Sequence, residues 1–306
     1  METYPQDFPD FDRNAYPQGI FDVTHEQRGS ASRLIVGSEK SALYDCGNAY
    51  GAEQAIANIR QALDGRKLDY VLVSHTHFDH IGALPYILDA FPEVEVLGSA
   101  YAQYVFTRPG ALKVIRNLSV DAAQRNGMAD PESIPSEGWR VDRAIADGDE
   151  IDLGDRKIVC LETKGHTDCC MSFVLEPDSI LLASESTGQL IAPGVFNTAI
   201  LKSFEDVMAS ADKCQAYGAR QIMGPHYGLT PEWYANQYFD DFRKAALHEK
   251  EYMTAMWNEG LTPNEMLERG RKDIWPREEA ANQTWEGFVA NFTAMIKVYE
   301  QYATRS

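Results

Sequence analysis

Apolar and polar positions follow two rhythms along this chain, and the rhythm changes near residue 230. Gly19 to His25, Ser32 to Gly37 and Ser41 to Asp45 are short runs rich in β-branched and aromatic residues, which predicts three strands of a meander. Ala52 to Leu63 places Ala55, Ile56, Ile59 and Leu63 at helical spacing and stops near Gly65, so a helix is predicted there. Asp69 to Ser74 is a continuous apolar run, the mark of a buried central strand. Residues 81–91 predict a helix and Glu93 to Leu97 the next strand. This strand–helix–strand unit assigns the chain to the α/β class.

Residues 99–138 read as helices and loops. Trp139 to Ile145, Glu150 to Leu153, Lys157 to Leu161, Met171 to Glu176 and Ser179 to Ala183 are evenly spaced strand candidates. Phe204 to Tyr217 predicts a helix and Arg220 to Met223 a final strand. After Pro231 the β signal all but vanishes. Tyr234, Tyr238, Phe242 and Ala245 fall on one helical face, and Trp285, Phe288, Phe292, Met295, Ile296 and Tyr299 on another. The expected organisation is a catalytic domain over 1–230, with 1–17 as an extended arm containing Pro5, Pro9 and Pro17. A helical region over 231–306 is expected to serve as a lid or as a homodimer contact.

Charge narrows the partners. Across 306 residues, 28 Lys and Arg face 46 Asp and Glu, a net charge of -18. A field of that sign repels nucleic acid and anionic membranes, so a small-molecule substrate is expected, with no nucleic-acid or membrane partner. Five cysteines (Cys46, Cys160, Cys169, Cys170, Cys214) are an odd number without a CxxC pair, which points to a reducing compartment. Met1 to Asp12 has neither a basic n-region nor an apolar h-region, so a cytoplasmic location is expected.

The chemistry is concentrated in Ser74-His75-Thr76-His77-Phe78-Asp79-His80, a chain segment that uses three of only seven histidines. His75 and His77, two apart on extended backbone, point the same way and suit one metal ion. Asp79 and His80 fall where the chain turns into a helix and suit a second. Imidazole combined with carboxylate selects Zn²⁺, Fe, Mn or Co over Ca²⁺ or Mg²⁺.

This H-x-H-x-D-H segment resembles the motif of the metallo-β-lactamase-fold superfamily. The resemblance implies a four-layer αββα sandwich with the motif at one edge, and it covers about residues 18–230. Later motifs of that family are matched in order. Gly165-His166-Thr167 corresponds to its Gly-His-Thr element, making His166 the third histidine of the first metal. Gly224-Pro225-His226 corresponds to its terminal metal histidine, and Asp45-Cys46-Gly47 to its early strand–Asp–Gly element. Where the family carries a bridging Asp, this chain has Ser184-Glu185-Ser186, and Glu185 is the available carboxylate. It is either a bridge one methylene longer or a surface Glu with no metal role. Cys169 and Cys170 stand where the family has small residues and are read as small buried thiols, with metal ligation the alternative.

The resemblance implies two divalent ions, zinc by expectation and iron or manganese as alternatives. It also implies a bridging hydroxide that attacks an ester, thioester, lactone or amide carbonyl. Asp79 would orient that hydroxide and carry a proton, and Tyr227 would donate to the oxyanion. Two other readings remain open. One is a di-iron oxidoreductase resembling flavodiiron proteins, in which Glu typically replaces the histidine found here as His77. The other is a non-catalytic effector on the same fold.

Overall fold

In the computed structural model, which describes residues 7–25, 32–276 and 283–304, the first three apolar runs form an antiparallel meander. Its strands are β1 (Ile20–Asp22), β2 (Arg33–Val36) and β3 (Ser41–Tyr44). Helix α1 (Ala52–Leu63) crosses over to β4 (Tyr70–Leu72), which runs parallel to β3. The histidine motif then leads through α2 (Phe78–Ile81) and α3 (Leu84–Ala90) to β5 (Glu95–Ser99). Helices α4 (Ala100–Val105) and α5 (Pro109–Arg125) lead on to β6 (Arg143–Ile145), and the six strands lie side by side in chain order.

The second sheet repeats the plan. Strands β7 (Glu150–Asp152), β8 (Lys157–Glu162), β9 (Met171–Glu176) and β10 (Ile180–Leu182) are antiparallel neighbours. A separate hairpin, β11 (Gln189–Ala192) and β12 (Val195–Asn197), follows. Helix α6 (Phe204–Tyr217) crosses to β13 (Gln221–Gly224), parallel to β10, and β14 (Gly228–Leu229) closes that edge. Helices α7 (Ala235–Asn258), α8 (Pro263–Asp273) and α9 (Trp285–Tyr299) complete the described chain.

Strand alternation divides the apolar residues between three cores. Leu34, Leu43 and Val71 face outward onto Ile59 and Leu63 of α1 and Ile87 of α3. Their neighbours Ile35, Ala42, Tyr44 and Leu72 face the second sheet, meeting Ile158, Phe173, Leu175 and Leu182. Val159, Val174, Leu181 and Ile222 face the other way, onto Val207 and Ala211 of α6 and Phe242 of α7. The result is an αββα sandwich. A one-residue slip in any central strand would exchange its two faces, and each buried Leu or Ile so displaced loses about 1.5–3 kcal/mol. The helices after residue 230 join the third core: Tyr238, Met253, Met266, Phe292 and Tyr299 belong to the cluster that covers the second sheet.

The structure differs from these expectations at four places. The single helix over 81–91 is two helices, α2 starting earlier at Phe78 and the break falling at Gly82-Ala83. A Cβ on Gly82 would lie 2.4 Å from the Phe78 carbonyl oxygen and 2.7 Å from the Ala49 nitrogen, so the motif helix presses against the chain at residue 49. Trp139 is not in a strand; its indole N–H donates to the Ile81 carbonyl at 2.8 Å and pins the end of α2. The strand over 221–224 is followed by β14, and the hairpin over 189–197 was not predicted. Among the described residues, no helix is long and apolar enough to cross a membrane.

Candidate metal centre

Four segments leave the C-terminal ends of strands at one rim of the sandwich. Ser74-His75 follows β4, His166 follows β8, Glu185 follows β10 and His226 follows β13. The Met171 N–H donates to the Ser74 carbonyl at 2.8 Å and ties the two sheets together here. The side chains converge into two groups. One holds His75, His77, His166 and Glu185, the other Asp79, His80, Glu185 and His226, and within each the ligand atoms lie within 4.8 Å of one another.

Glu185 belongs to both groups, and its two oxygens divide between them. Oε2 lies 2.7 Å from His166 Nε2 and 3.9 Å from His75 Nε2. Oε1 lies 2.6 Å from His226 Nε2 and 3.0 Å from His80 Nε2. Asp79 Oδ2 completes the second group, 3.6 Å from His80 Nε2 and 3.7 Å from His226 Nε2. In the first, His77 Nδ1 is 3.0 Å from His166 Nε2. Glu185 opens a short 3-10 turn, Glu185–Thr187, beyond the end of β10. That turn rests on buried hydroxyls: Ser184 N–H donates to Ser172 Oγ at 2.9 Å, and Ser186 Oγ accepts the His166 N–H at 3.1 Å.

Outer contacts set the tautomers. Asp45 directly follows β3 with φ of 52°, a left-handed conformation that Asp tolerates better than most residues. It accepts from Ser74 N–H at 2.8 Å, from the Ser74 hydroxyl at 2.7 Å and from His80 Nδ1 at 2.7 Å. With the Ser74 proton committed to Asp45, Ser74 Oγ is an acceptor for His75 Nδ1 at 3.0 Å. His166 Nδ1 donates to the Ala199 carbonyl at 2.7 Å. Each anchor leaves Nε2 facing the centre, the arrangement expected of metal-ligating histidines.

Burial, with the neighbouring imidazoles, lowers His75 well below the ordinary range and takes His77 to about 4, so both present lone pairs. Burial pulls His80 the same way, but Asp79 and Asp45 outweigh it and raise His80 well above that range. Burial opposes the Glu185 anion, yet His166, His226 and His80 hold its carboxyl well below the usual range. These features fit two metal ions. Bonds of about 2.0–2.2 Å to one ion put its ligand atoms about 3–4 Å apart. His75 Nε2 is buried without a hydrogen-bond partner, the sort of orphan a cation would satisfy.

The seven residues expected as ligands therefore meet at one rim. Tyr227 goes elsewhere. Its ring is buried against Phe8, with centroids 6.0 Å apart, and the Arg13 guanidinium sits 4.9 Å above it. The charges that act on its hydroxyl are Asp7 and Arg13, so it faces the N-terminal arm rather than either ligand group. Cys169 and Cys170 are buried, their thiols 3.2 and 3.0 Å from the Thr167 hydroxyl, and neither joins a ligand group. The roles of Ser74 and Ala199 went unread, because nothing in the sequence marks a serine or a carbonyl as an imidazole anchor.

The chain is 24% identical over 134 residues to glyoxylase B2 of Dictyostelium discoideum, covering 43% of this chain and 39% of that protein. It is 40% identical over 74 residues to a nitric oxide reductase of Moorella thermoacetica, covering 24% and 18%. It thus spans less than half the length of these curated relatives. Its fold is that of a metallo-beta-lactamase family protein from Thermus thermophilus, with a TM-score of 0.63 and 17% identity over 94% of this chain and 95% of that one. The family model of the metallo-beta-lactamase superfamily matches residues 26–189, more than half of the sequence and every expected ligand except His226, and the chain belongs to that superfamily.

Proposed function

We propose that this chain is a metal-dependent hydrolase that cleaves a small ester, thioester, lactone or amide. The observation that carries the reading is the Glu185 carboxylate, with one oxygen among the imidazoles of each ligand group. A carboxylate so shared suits two ions held close together. Divalent ions bound there supply an activated water at neutral pH and a Lewis acid for the carbonyl. Asp79 is the residue suited to proton transfer. Its side chain is 24% exposed, and one oxygen faces His80 and His226. It would take the proton of the attacking water and return it to the departing oxygen, sulfur or nitrogen. The net charge of -18 favours a small molecule over a nucleic acid.

A redox reading with two irons is supported by the likeness to the Moorella thermoacetica nitric oxide reductase. One experiment separates the two. Elemental mass spectrometry of protein purified without added metal should give two zinc ions per chain, and hydrolysis of an ester, thioester and lactone panel should follow. Two irons together with oxygen consumption would replace the hydrolase reading. One ion or none after reconstitution would overturn the shared-carboxylate mechanism.

A further inference from the structure

We propose that Glu249 of α7 and Tyr299 of α9 are positioning residues for His166, acting through the Thr198-Ala199 turn; the inference rests on His166 being a metal ligand. His166 presents Nε2 to the centre only while its Nδ1–H is held, and the holder is the Ala199 carbonyl at 2.7 Å. Ala199 has φ of 41°, a left-handed conformation that a non-glycine residue keeps only when its surroundings impose it.

The C-terminal helices reach this segment through Thr198. The hydroxyl of Thr198 donates to Glu249 Oε2. The other Glu249 oxygen, Oε1, accepts from the Tyr299 hydroxyl at 2.8 Å. Thr198 and Tyr299 are both buried and Glu249 is half-buried, and its carboxylate joins α7, α9 and the turn. Beyond the turn, Lys202 N–H and Ser203 N–H donate to the Gly165 carbonyl at 3.1 and 3.2 Å, fastening it to the loop that carries His166.

Helix α7 also grips the opposite end of the same segment. The Tyr238 hydroxyl donates to the Gly188 carbonyl at 3.1 Å, three residues after Glu185. Gly188 has φ of 86°, and a Cβ there would come within 2.5 Å of the Phe242 ring. One helix therefore fixes the chain just after the shared carboxylate and just before the carbonyl that orients His166. A charged acceptor is the stronger choice for this link, because hydrogen bonds to a carboxylate are roughly twice as strong as neutral ones.

The test compares full-length wild type with Glu249→Gln, Thr198→Val, the double variant, and Glu251→Gln as a control on the exposed side of the same helix. Zinc affinity is read by competition with a chromophoric chelator, and thermal midpoints are read alongside. Glu249→Gln and Thr198→Val should each weaken zinc binding by about tenfold, the lower end of what an outer partner contributes. The double variant should be no weaker than either single one, since both cut the same link. The control should match wild type. Unchanged affinity in Glu249→Gln, or a lowered thermal midpoint with unchanged affinity, overturns the proposal. If Glu249→Gln fails to fold, Thr198→Val decides alone by the same criterion. The imidazole ¹⁵N spectrum of metal-free protein is the second readout. Wild type should hold His166 as the Nδ1–H tautomer and the variants should mix tautomers; an unchanged spectrum overturns the positioning role. A wild type that takes up no zinc would refute the metal reading, and the ¹⁵N spectrum would still decide this one.

Discussion

The two ligand groups share one carboxylate but differ in character. The first is three imidazoles and Glu185, with His75 and His166 almost fully buried. The second has two carboxylates, and its His226 and Asp79 side chains are 19% and 24% exposed. Burial strips protons from His75 and His77, whereas Asp79 and Asp45 keep one on His80. The first group is therefore ready to take a metal, while the second must lose a proton to do so. Two side chains of the second group reach the surface, His226 and Asp79, against His77 alone in the first. We expect the first, inner group to hold its ion the more tightly and the second, outer group to exchange it.

Glu185→Ala is the largest perturbation, because it removes a member of both groups. Both ions should be lost or weakened together, and activity should fall by more than the about 10–100-fold that loss of an outer partner costs. Metal analysis beside a rate assay checks this. Full stoichiometry with near-normal rates would mean that the carboxylate is not shared. Glu185→Asp refines the result: one methylene shorter, it should keep contact with one group and forfeit the other.

Asp45→Asn tests the outer group more selectively. Asp45 contacts His80 Nδ1 directly but reaches His75 only through the Ser74 hydroxyl. The second ion should be held about 10–100-fold less tightly and the first much less affected. Equal losses at both groups in a chelator titration would erase the distinction.

Acid should sharpen it. At pH 5.5, His77, with its pKa near 4, is still neutral and keeps its lone pair. His80 is raised above its ordinary 6.5, so protons already compete for it at that pH. Lowering the pH from 8 to 5.5 should empty the second group first, seen as a step from two zinc ions to one after dialysis. Loss of both ions in a single step would contradict the ordering.

The fold was legible where apolar rhythm and stop signals coincide. Helices α1 and α6 occupy their predicted spans because each amphipathic run ends on a left-handed residue, Asp64 and Gly218. The α2–α3 break was not legible, since it depends on the backbone approach of residue 49 to Gly82, which local periodicity does not record. The 189–197 hairpin has a turn dipeptide, Pro193-Gly194, between its two apolar stretches. The clustering of His75, His77, His80, His166 and His226 was legible from motif spacing and resemblance. Their anchors were not, because Asp45 is 35 positions from His80, and Ala199 is 33 from His166, along the chain.

Tyr227 should give the smallest effect, and it tests the same comparison. It adjoins His226, a member of the second group, so its place in the sequence suggests an oxyanion donor. In the fold its ring is 4% exposed, packed on Phe8 beneath Arg13, and its hydroxyl is buried without a hydrogen-bond partner. Replacing an unpartnered buried hydroxyl with hydrogen removes a desolvated polar group and leaves the packing in place. Tyr227→Phe should therefore leave kcat within about twofold and raise stability by up to about 1 kcal/mol. Removal of a true oxyanion donor costs about 100–1000-fold in kcat instead. A drop of that size, with the thermal midpoint unchanged, would mean that the ring turns from the N-terminal arm toward substrate, and that the outer group extends one residue past His226.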